Sequence, residues 1–312
     1  MMSDFVQQHH SVCELASSDS WVILSPIEQS IKRKIEAVGT PLKDWDINIY
    51  RGVLTGYNDA FIITTEKRDE ILSNCQSEEE RQRTAELIRP ILRGRDIKRY
   101  GYDWANLWLI YIPWHFPYQF DESIQGASEN AEKAFKEKYP SVYSHMLQYK
   151  DQLSKRNKAE TGIRYEWYAM QRWGAKYWED FNKPKIIYPN MTKYMPFVYD
   201  DKAYITNQKC FIITGTKVAF LTAFFNSSLF KYCFRDSFPE LQGGTRELSK
   251  IFFDKIPVYK VSDALDKKFK EAVDDIQLEY TKQKALRIDS MLFDLYKLTL
   301  EERETIGFVE IV

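Results

Sequence analysis

A chain of 312 residues, 44% hydrophobic and 29% charged, has the composition of a globular protein of one large or two ordinary domains, not of a disordered one. Its formal net charge of −1 gives no global pull toward nucleic acid, so any such role must rest on local asymmetry. Four scattered cysteines without a CxxC pair, and four histidines of which His9 and His10 are adjacent, give poor support to a zinc site or a disulfide framework.

The amino end, MMSDFVQQHH, lacks the basic-then-apolar plan of a signal peptide. No run of about eighteen apolar residues appears, so no membrane span is expected and the protein reads as soluble and cytoplasmic. Trp21-Val22-Ile23-Leu24 is a short apolar run consistent with a buried strand. Ser25 as N-cap, Pro26 at the first helical position and Glu28 completing a capping box predict a helix over roughly 26–38, stopped by Gly39 and Pro41. Trp45 to Thr64 reads as strand, Gly-flanked loop, strand; Gly52 and Gly56 have the wrong spacing for a phosphate-cradling GxGxxG loop.

Residues 67–88 are charged and helix-prone. They lead into LIRPILRGRDIKRY, residues 87–100, where Arg89, Arg93, Arg95, Lys98 and Arg99 face a single acid, Asp96. Residues 81–100 as a whole carry seven Lys/Arg against two Asp/Glu. Pro90 argues against a continuous helix and Gly94 permits a turn, so a short irregular segment presenting guanidinium groups is expected. Guanidinium forks suit phosphate oxygens and the acceptor edge of guanine; the plainer alternative is a solvated charged loop.

Leu107 to Ile112 reads as a strand ended by Pro113. Residues 121–158 read as helix in two pieces broken near Pro140, with Val142, Met146, Tyr149 and Leu153 near one face, then a basic cluster of Lys155, Arg156 and Lys158. Residues 163–178 interleave aromatics with charge, which suits either base stacking or half-buried packing. Short strands and turns alternate from Lys185 to Ile213, an apolar helix spans Val218 to Phe230, and Gln242-Gly243-Gly244-Thr245-Arg246 is a flexible polar loop. From Val261 the chain turns helical, with apolar stripes through Phe269, Val273 and Ile276 and through Ile288, Leu292 and Leu295, and a third helix capped by Thr299. These stripes are core or partner-docking surfaces.

No Pro-Pro pair exists for the polar-Pro-Pro-aromatic element of an amino-methylating enzyme, and Tyr188-Pro189-Asn190 has the wrong order. Glu179, Asp180 and Lys185 are a weak match to a metal nuclease, no GxSxG occurs, and no metal ligand set stands out. The chain reads as non-catalytic by itself.

Several stretches then fall into one order: GVLTGYNDAFII (52–63), IRPILRGRDIKRY (88–100), WLIYIP (108–113), HMLQYKDQLSKR (145–156), NKPKIIYPNMTKYMPFVYDDKAYITNQKCFII (182–213) and LQGGTRELSKIFFDKIPV (241–258). Together they resemble the TaqI-like C-terminal specificity domain, and IDSMLFDLYKLTLEERETI (288–306) resembles the helical tail often found with it. The resemblance covers roughly residues 20–306. It implies the target-recognition part of N6-adenine DNA methyltransferases and of type IIG restriction–modification enzymes, a phage-defence setting, double-stranded DNA as partner, and a methyltransferase catalytic domain or subunit as the other partner. That catalytic domain is not in this sequence. It is expected as a removed segment or a separate gene product, and S-adenosylmethionine is expected there, with no cofactor in this chain.

Arg89, Arg93, Arg95, Lys98 and Arg99 are expected to hold phosphates and fix register. Base reading is expected from Gln171, Arg172, Lys193, Tyr194, Gln242 and Arg246, with Gly243 and Gly244 allowing close backbone approach to DNA. The fold expected is α+β: a mixed, twisted β-sheet region with helical insertions, residues 1–260, then a helical tail, residues 261–312. The competing readings are a helical docking protein without DNA specificity and an unrecognised nuclease half.

Overall fold

The computed structural model describes residues 24–310. The chain divides into two compact units, one of residues 47–218 and one formed by the segments before 47 and after 218. The fold is α+β, with several mixed sheets and a helical carboxy-terminal region. The apolar run from Trp21, apart from Leu24, and His9, His10 and Cys13 lie outside the described residues.

The discontinuous unit opens with α1 (Pro26–Val38). Ser25 Oγ accepts from the Glu28 N–H, and Glu28 Oε2 accepts from the Ser25 N–H at 2.7 Å, so the capping box forms as the sequence predicts. Ile31 and Ile35, one turn apart, supply its buried face. Strand β1 (Gly39–Pro41) follows.

The 47–218 unit begins with β2 (Ile47–Arg51) and β3 (Ile62–Thr64). The helix-prone stretch forms two helices, α2 (Thr65–Ser73) and α3 (Glu78–Leu87), because Ser77 caps a fresh start on the Glu80 N–H. The basic stretch differs from the expected irregular segment: its first half is strand β4 (Ile88–Leu92). Pro90 is tolerated there because pairing passes near it from one neighbour to another, Ile88 to Pro90 facing β5 (Leu107–Ile110) and Ile91 and Leu92 facing a later strand. The 121–158 region contains three helices, not two: α4 (Glu129–Lys138), α5 (Pro140–Leu147) and α6 (Lys150–Ser154). Pro140 starts α5 instead of merely breaking a helix.

Strands β6 (Lys185–Pro189), β7 (Val198–Asp200), β8 (Ile205–Thr206) and β9 (Cys210–Gly215) follow in this unit. One four-stranded sheet has the order β7-β6-β9-β2 and is antiparallel throughout, with Ile212 opposite both Ile187 and Tyr50. The other has the order β8-β4-β5-β3 and is mixed, β8 running parallel to β4. Phe61, Ile91, Ile110, Phe135, Met146, Tyr168, Ile187 and Ile212 belong to one continuous apolar core between sheets and helices. Inside it lies an ion pair with no solvent exposure: Lys185 Nζ is 2.6 Å from Asp200 Oδ2 and donates to the Phe181 carbonyl at 2.7 Å. Burial draws the Lys185 pKa down, and Asp200 opposes that shift.

The remainder of the discontinuous unit carries α7 (Val218–Asn226), α8 (Ser228–Phe234), β10 (Pro257–Tyr259), α9 (Asp263–Leu278), α10 (Lys282–Leu295) and α11 (Leu300–Ile306). The single apolar helix expected over 218–230 is two, since Ser227 caps α8 through the Phe230 N–H at 3.1 Å. Strand β10 pairs antiparallel with β1, Gly39 opposite Tyr259. The core is aromatic, with Phe220 against Phe269 at 5.0 Å and Phe225 against Phe253 at 5.3 Å. Buried Asp289 ties α10 to α8 by accepting from the Ser228 N–H and Oγ at 2.8 and 2.6 Å. Strand β10 and α9 fall on either side of residue 260 and both belong to this unit. Among the described residues no helix is long and apolar enough to cross a membrane.

Candidate nucleic-acid interface

Strand pairing gathers one end of the 47–218 unit from four separate parts of the sequence. Arg51, the last residue of β2, lies opposite Phe211; Pro189, the last of β6, lies opposite Cys210; and Leu92 of β4 pairs with Thr206 of β8. The connections leaving that end are therefore neighbours. The Asn190 N–H donates to the Lys209 carbonyl at 2.8 Å, and a Cβ on Gly94 would sit 3.4 Å from that same oxygen. The Tyr100 N–H donates to the Phe197 carbonyl at 3.1 Å.

Exposed cations collect on these connections. Arg51, Arg95, Lys98, Lys193 and Lys209 all stand in solvent. Among the described residues, Arg95, Lys193 and Lys209 have no carboxylate partner. Arg51 donates through Nε to the Gln208 carbonyl at 2.9 Å and lies 6.0 Å from the Phe211 ring centre. Lys98 reaches exposed Asp103, at 3.6 Å. A surface of this kind attracts phosphate without needing a basic protein overall.

The other three cations of the basic stretch are built into the fold. Arg93 binds Asp96 with two parallel bonds, at 3.0 and 2.7 Å, and the Arg93 N–H donates to the same carboxylate, which closes the turn that aims Arg95 outward. Asp96 in turn raises the Arg93 pKa. Arg89 donates to Asn182 Oδ1 at 2.7 Å and to the Ala203 carbonyl at 3.1 Å. Arg99 is 6% exposed. Arg51 and Lys209 were invisible to sequence reading, because each is isolated in the chain and the β2–β9 and β6–β9 pairings bring them to one end of the unit.

Lys193 and Tyr194 occupy a turn fixed by Thr192 Oγ1, which accepts from the Tyr194 and Met195 N–H groups at 3.1 and 3.2 Å. Met191 and Tyr194 hold apolar surface in water there, 58% and 46% exposed. Gln171 and Arg172 lie elsewhere in this unit, beside the Gly-flanked loop. Leu54 and Arg172 exchange backbone hydrogen bonds at 2.9 Å, and a Cβ on Gly56, whose φ is +79°, would sit 2.9 Å from Gln171 Oε1. Arg172 donates two bonds to Glu160, at 2.9 and 3.0 Å, and Arg164 donates a third at 2.9 Å. These bonds, those of Arg172 foremost, hold the Glu160 carboxyl below the usual carboxylate range.

Beneath that surface, Arg156 fastens the loop. Its guanidinium donates to the Thr55 carbonyl, to the carbonyls of Trp167 and Ala169 at 2.7 Å each, and to that of Leu153 at 3.0 Å. Among the described residues no carboxylate joins it, and burial lowers its pKa to about 10. In the 163–178 segment Tyr165, Trp167, Tyr168 and Trp173 are buried, so packing claims these rings.

Gln242, Gly243, Gly244 and Arg246 belong to the discontinuous unit. Gly243 and Gly244 each have φ +76°, and a Cβ at either would meet nothing within 4 Å, so backbone conformation, not crowding, favours glycine there. Arg246 is 8% exposed and donates to the Phe238 carbonyl at 2.9 Å, to Asp236 at 2.8 Å and to Glu240 at 2.9 Å, closing the loop that displays Gln242. The base-reading candidates are thus divided between the two units.

The nuclease alternative finds its groups apart. Lys185 is buried on Asp200, Asp180 pairs with Lys183 at 3.0 Å, and among the described residues no three His, Cys, Asp or Glu side chains cluster as metal ligands.

Comparison with known proteins gives consistent results. The chain is 23% identical over 237 residues to the type II methyltransferase M.MjaIV of Methanocaldococcus jannaschii, covering 72% of this chain and 69% of that protein. Among solved structures, the type IIL restriction–modification enzyme MmeI, determined in complex with DNA, superposes with a TM-score of 0.51 at 12% identity over 83% of this chain. The type IIG restriction endonuclease BpuSI superposes with a TM-score of 0.48 at 13% identity over 88% of this chain. The chain spans 34% of the length of each of these two structures. The family model for the TaqI-like C-terminal specificity domain matches residues 89–258, more than half of the sequence, and the chain belongs to that family.

Proposed function

We propose that this chain recognises a short double-stranded DNA sequence on behalf of an N6-adenine DNA methyltransferase of a type IIG-like restriction–modification system, acting in the cytoplasm against phage DNA. The observation that carries the reading is the family match over residues 89–258, the same segment that displays Arg95, Lys98, Lys193 and Lys209 at one end of a sheet. Methyl transfer and its S-adenosylmethionine belong to a catalytic domain or subunit outside these residues, with which this chain works.

In this reading Arg51, Arg95, Lys98 and Lys209 hold phosphates and set register, while Arg89, Arg93 and Arg99 act on the backbone of DNA only through the loops they brace. Lys193 and Tyr194, on a fixed turn, and Gln242, on the glycine loop, read base edges. Gln171 and Arg172 form a second reading surface, with Glu160 orienting the guanidinium. Arg246 positions Gln242, and Gly243 and Gly244 permit close backbone approach to DNA.

The test is selection from a random duplex pool at two salt concentrations, with this chain alone and with its methyltransferase domain. Enrichment of one short motif, with affinity falling steeply as salt rises, is the expected result. A pool that stays random in both settings would refute sequence recognition.

A further inference from the structure

We infer that an aromatic cleft beside the basic sheet end accepts one unpaired nucleobase of bound DNA; this rests on the DNA-binding reading above and adds a stacking subsite to it. Phe120 is 61% exposed, yet its backbone is fixed. The Asp121 N–H donates to the Tyr118 carbonyl at 2.9 Å, and Asp121 Oδ1 accepts from the Ser123 N–H and Oγ at 3.0 and 2.6 Å. A large ring is therefore held out in water by an ordered turn, which marks a contact surface and not a frayed loop.

Phe120 faces Trp178 with ring centres 5.3 Å apart and Trp173 at 6.5 Å. The cleft that Phe120 and Trp178 border has a volume of about 530 Å³, within the range of small-molecule sites of about 300–1,000 Å³. Two charged side chains stand exposed on its lining, Lys176 and Glu179, and Lys176 has no carboxylate partner among the described residues. Aromatic walls suit the face of a base, an ammonium suits its phosphate, and a carboxylate suits an exocyclic amino group.

The cleft is continuous with the proposed DNA-binding end. Tyr177 lines it, stacks on Tyr50 at 4.4 Å and 3°, and donates its hydroxyl to the Arg51 carbonyl at 2.9 Å. That cationic neighbour favours nucleic acid over an apolar protein segment as occupant. Bases within a duplex bury their faces on each other, so the base that enters is unpaired.

The experiment compares affinity of the full chain for a matched duplex and for the same duplex carrying one bulged adenine, at low salt. The wild-type chain is expected to prefer the bulged duplex by about 5- to 150-fold, the range of a base–aromatic stack. Phe120→Ala should abolish that preference and leave matched-duplex affinity unchanged, and Phe120→Trp should keep it. Equal affinity for both duplexes, or a preference that survives Phe120→Ala, would overturn the subsite while leaving DNA recognition intact. So would a Phe120→Ala chain that keeps all its DNA affinities but loses binding to a protein partner. Absence of binding to either duplex would remove the parent reading and the subsite together.

Discussion

Glu302, 3% exposed, keeps its charge through its neighbours. Burial would raise its pKa, but Lys34 Nζ at 2.6 Å, the Thr299 N–H at 2.7 Å and Ser30 Oγ at 2.7 Å all donate to it, and the pKa falls from 4.5 to about 2. A depressed native pKa means that the unfolded chain binds the proton more tightly. The contribution is complete above the unfolded value and is lost as pH falls from about 4.5 toward 2, on the order of 3 kcal/mol in all. Urea unfolding across that window should show Glu302→Gln less stable at neutral pH, with a shallower acid limb; an unchanged limb would assign the acid sensitivity to other carboxylates. Arg156→Ala strands the carbonyls of Thr55, Trp167 and Ala169, while that of Leu153 still accepts backbone N–H groups, and should cost about 3 kcal/mol or more, read as a lowered urea midpoint. Arg156→Lys should recover little, because one ammonium cannot span the four acceptors. Arg172→Ala carries a different expectation. It should relax sequence preference while leaving the urea midpoint nearly in place, since Arg172 is exposed and its carboxylate partner remains bonded to Arg164. An equal loss of affinity on every sequence would instead give Arg172 a phosphate role.

At the scale of elements, the sheet end makes a collective claim. Arg51→Ala, Arg95→Ala and Lys209→Ala should each weaken binding by a similar factor on every sequence and lower the salt slope by about 0.9. Tyr194→Ala should instead change which sequence is chosen, with discrimination at one position falling by about 1–3 kcal/mol. A Lys209→Ala chain with an unaltered salt slope would remove that side chain from the phosphate set. The basic stretch around Arg95 and Lys98 was legible because five cations crowd into eleven residues around one acid. Which of those cations stand in solvent was not, since whether an Arg is exposed or braces its own loop depends on a bond such as Arg93 to Asp96, and composition cannot order the two. Caps read well, at Ser25 and Thr299, because a cap is chemistry within four residues. Helix interruptions read poorly where the breaking residue was an ordinary serine, as at Ser77 and Ser227.

For the molecule as a whole, the α+β class followed from short strands bounded by turns ahead of long amphipathic stripes. Strand order did not, because β2 and β9 lie some 160 residues apart in sequence and pair through residues that carry no mark of their partners. The two-unit division was hidden for a related reason, since one unit is assembled from both ends of the chain. That division has a consequence for how such a protein can be altered. Within the 47–218 unit, the first and last strands are antiparallel neighbours, and Ile47, where the chain enters, stands directly opposite Gly215, just before it leaves. Entry and exit are therefore side by side. The segment behaves as a cassette whose two joints are adjacent, so exchanging it for that of a relative, or closing the gap with a short turn, leaves no long span to bridge. The 47–218 segment can then be exchanged as one block through a single pair of junctions, while Gln242 and its glycine loop stay with the other unit.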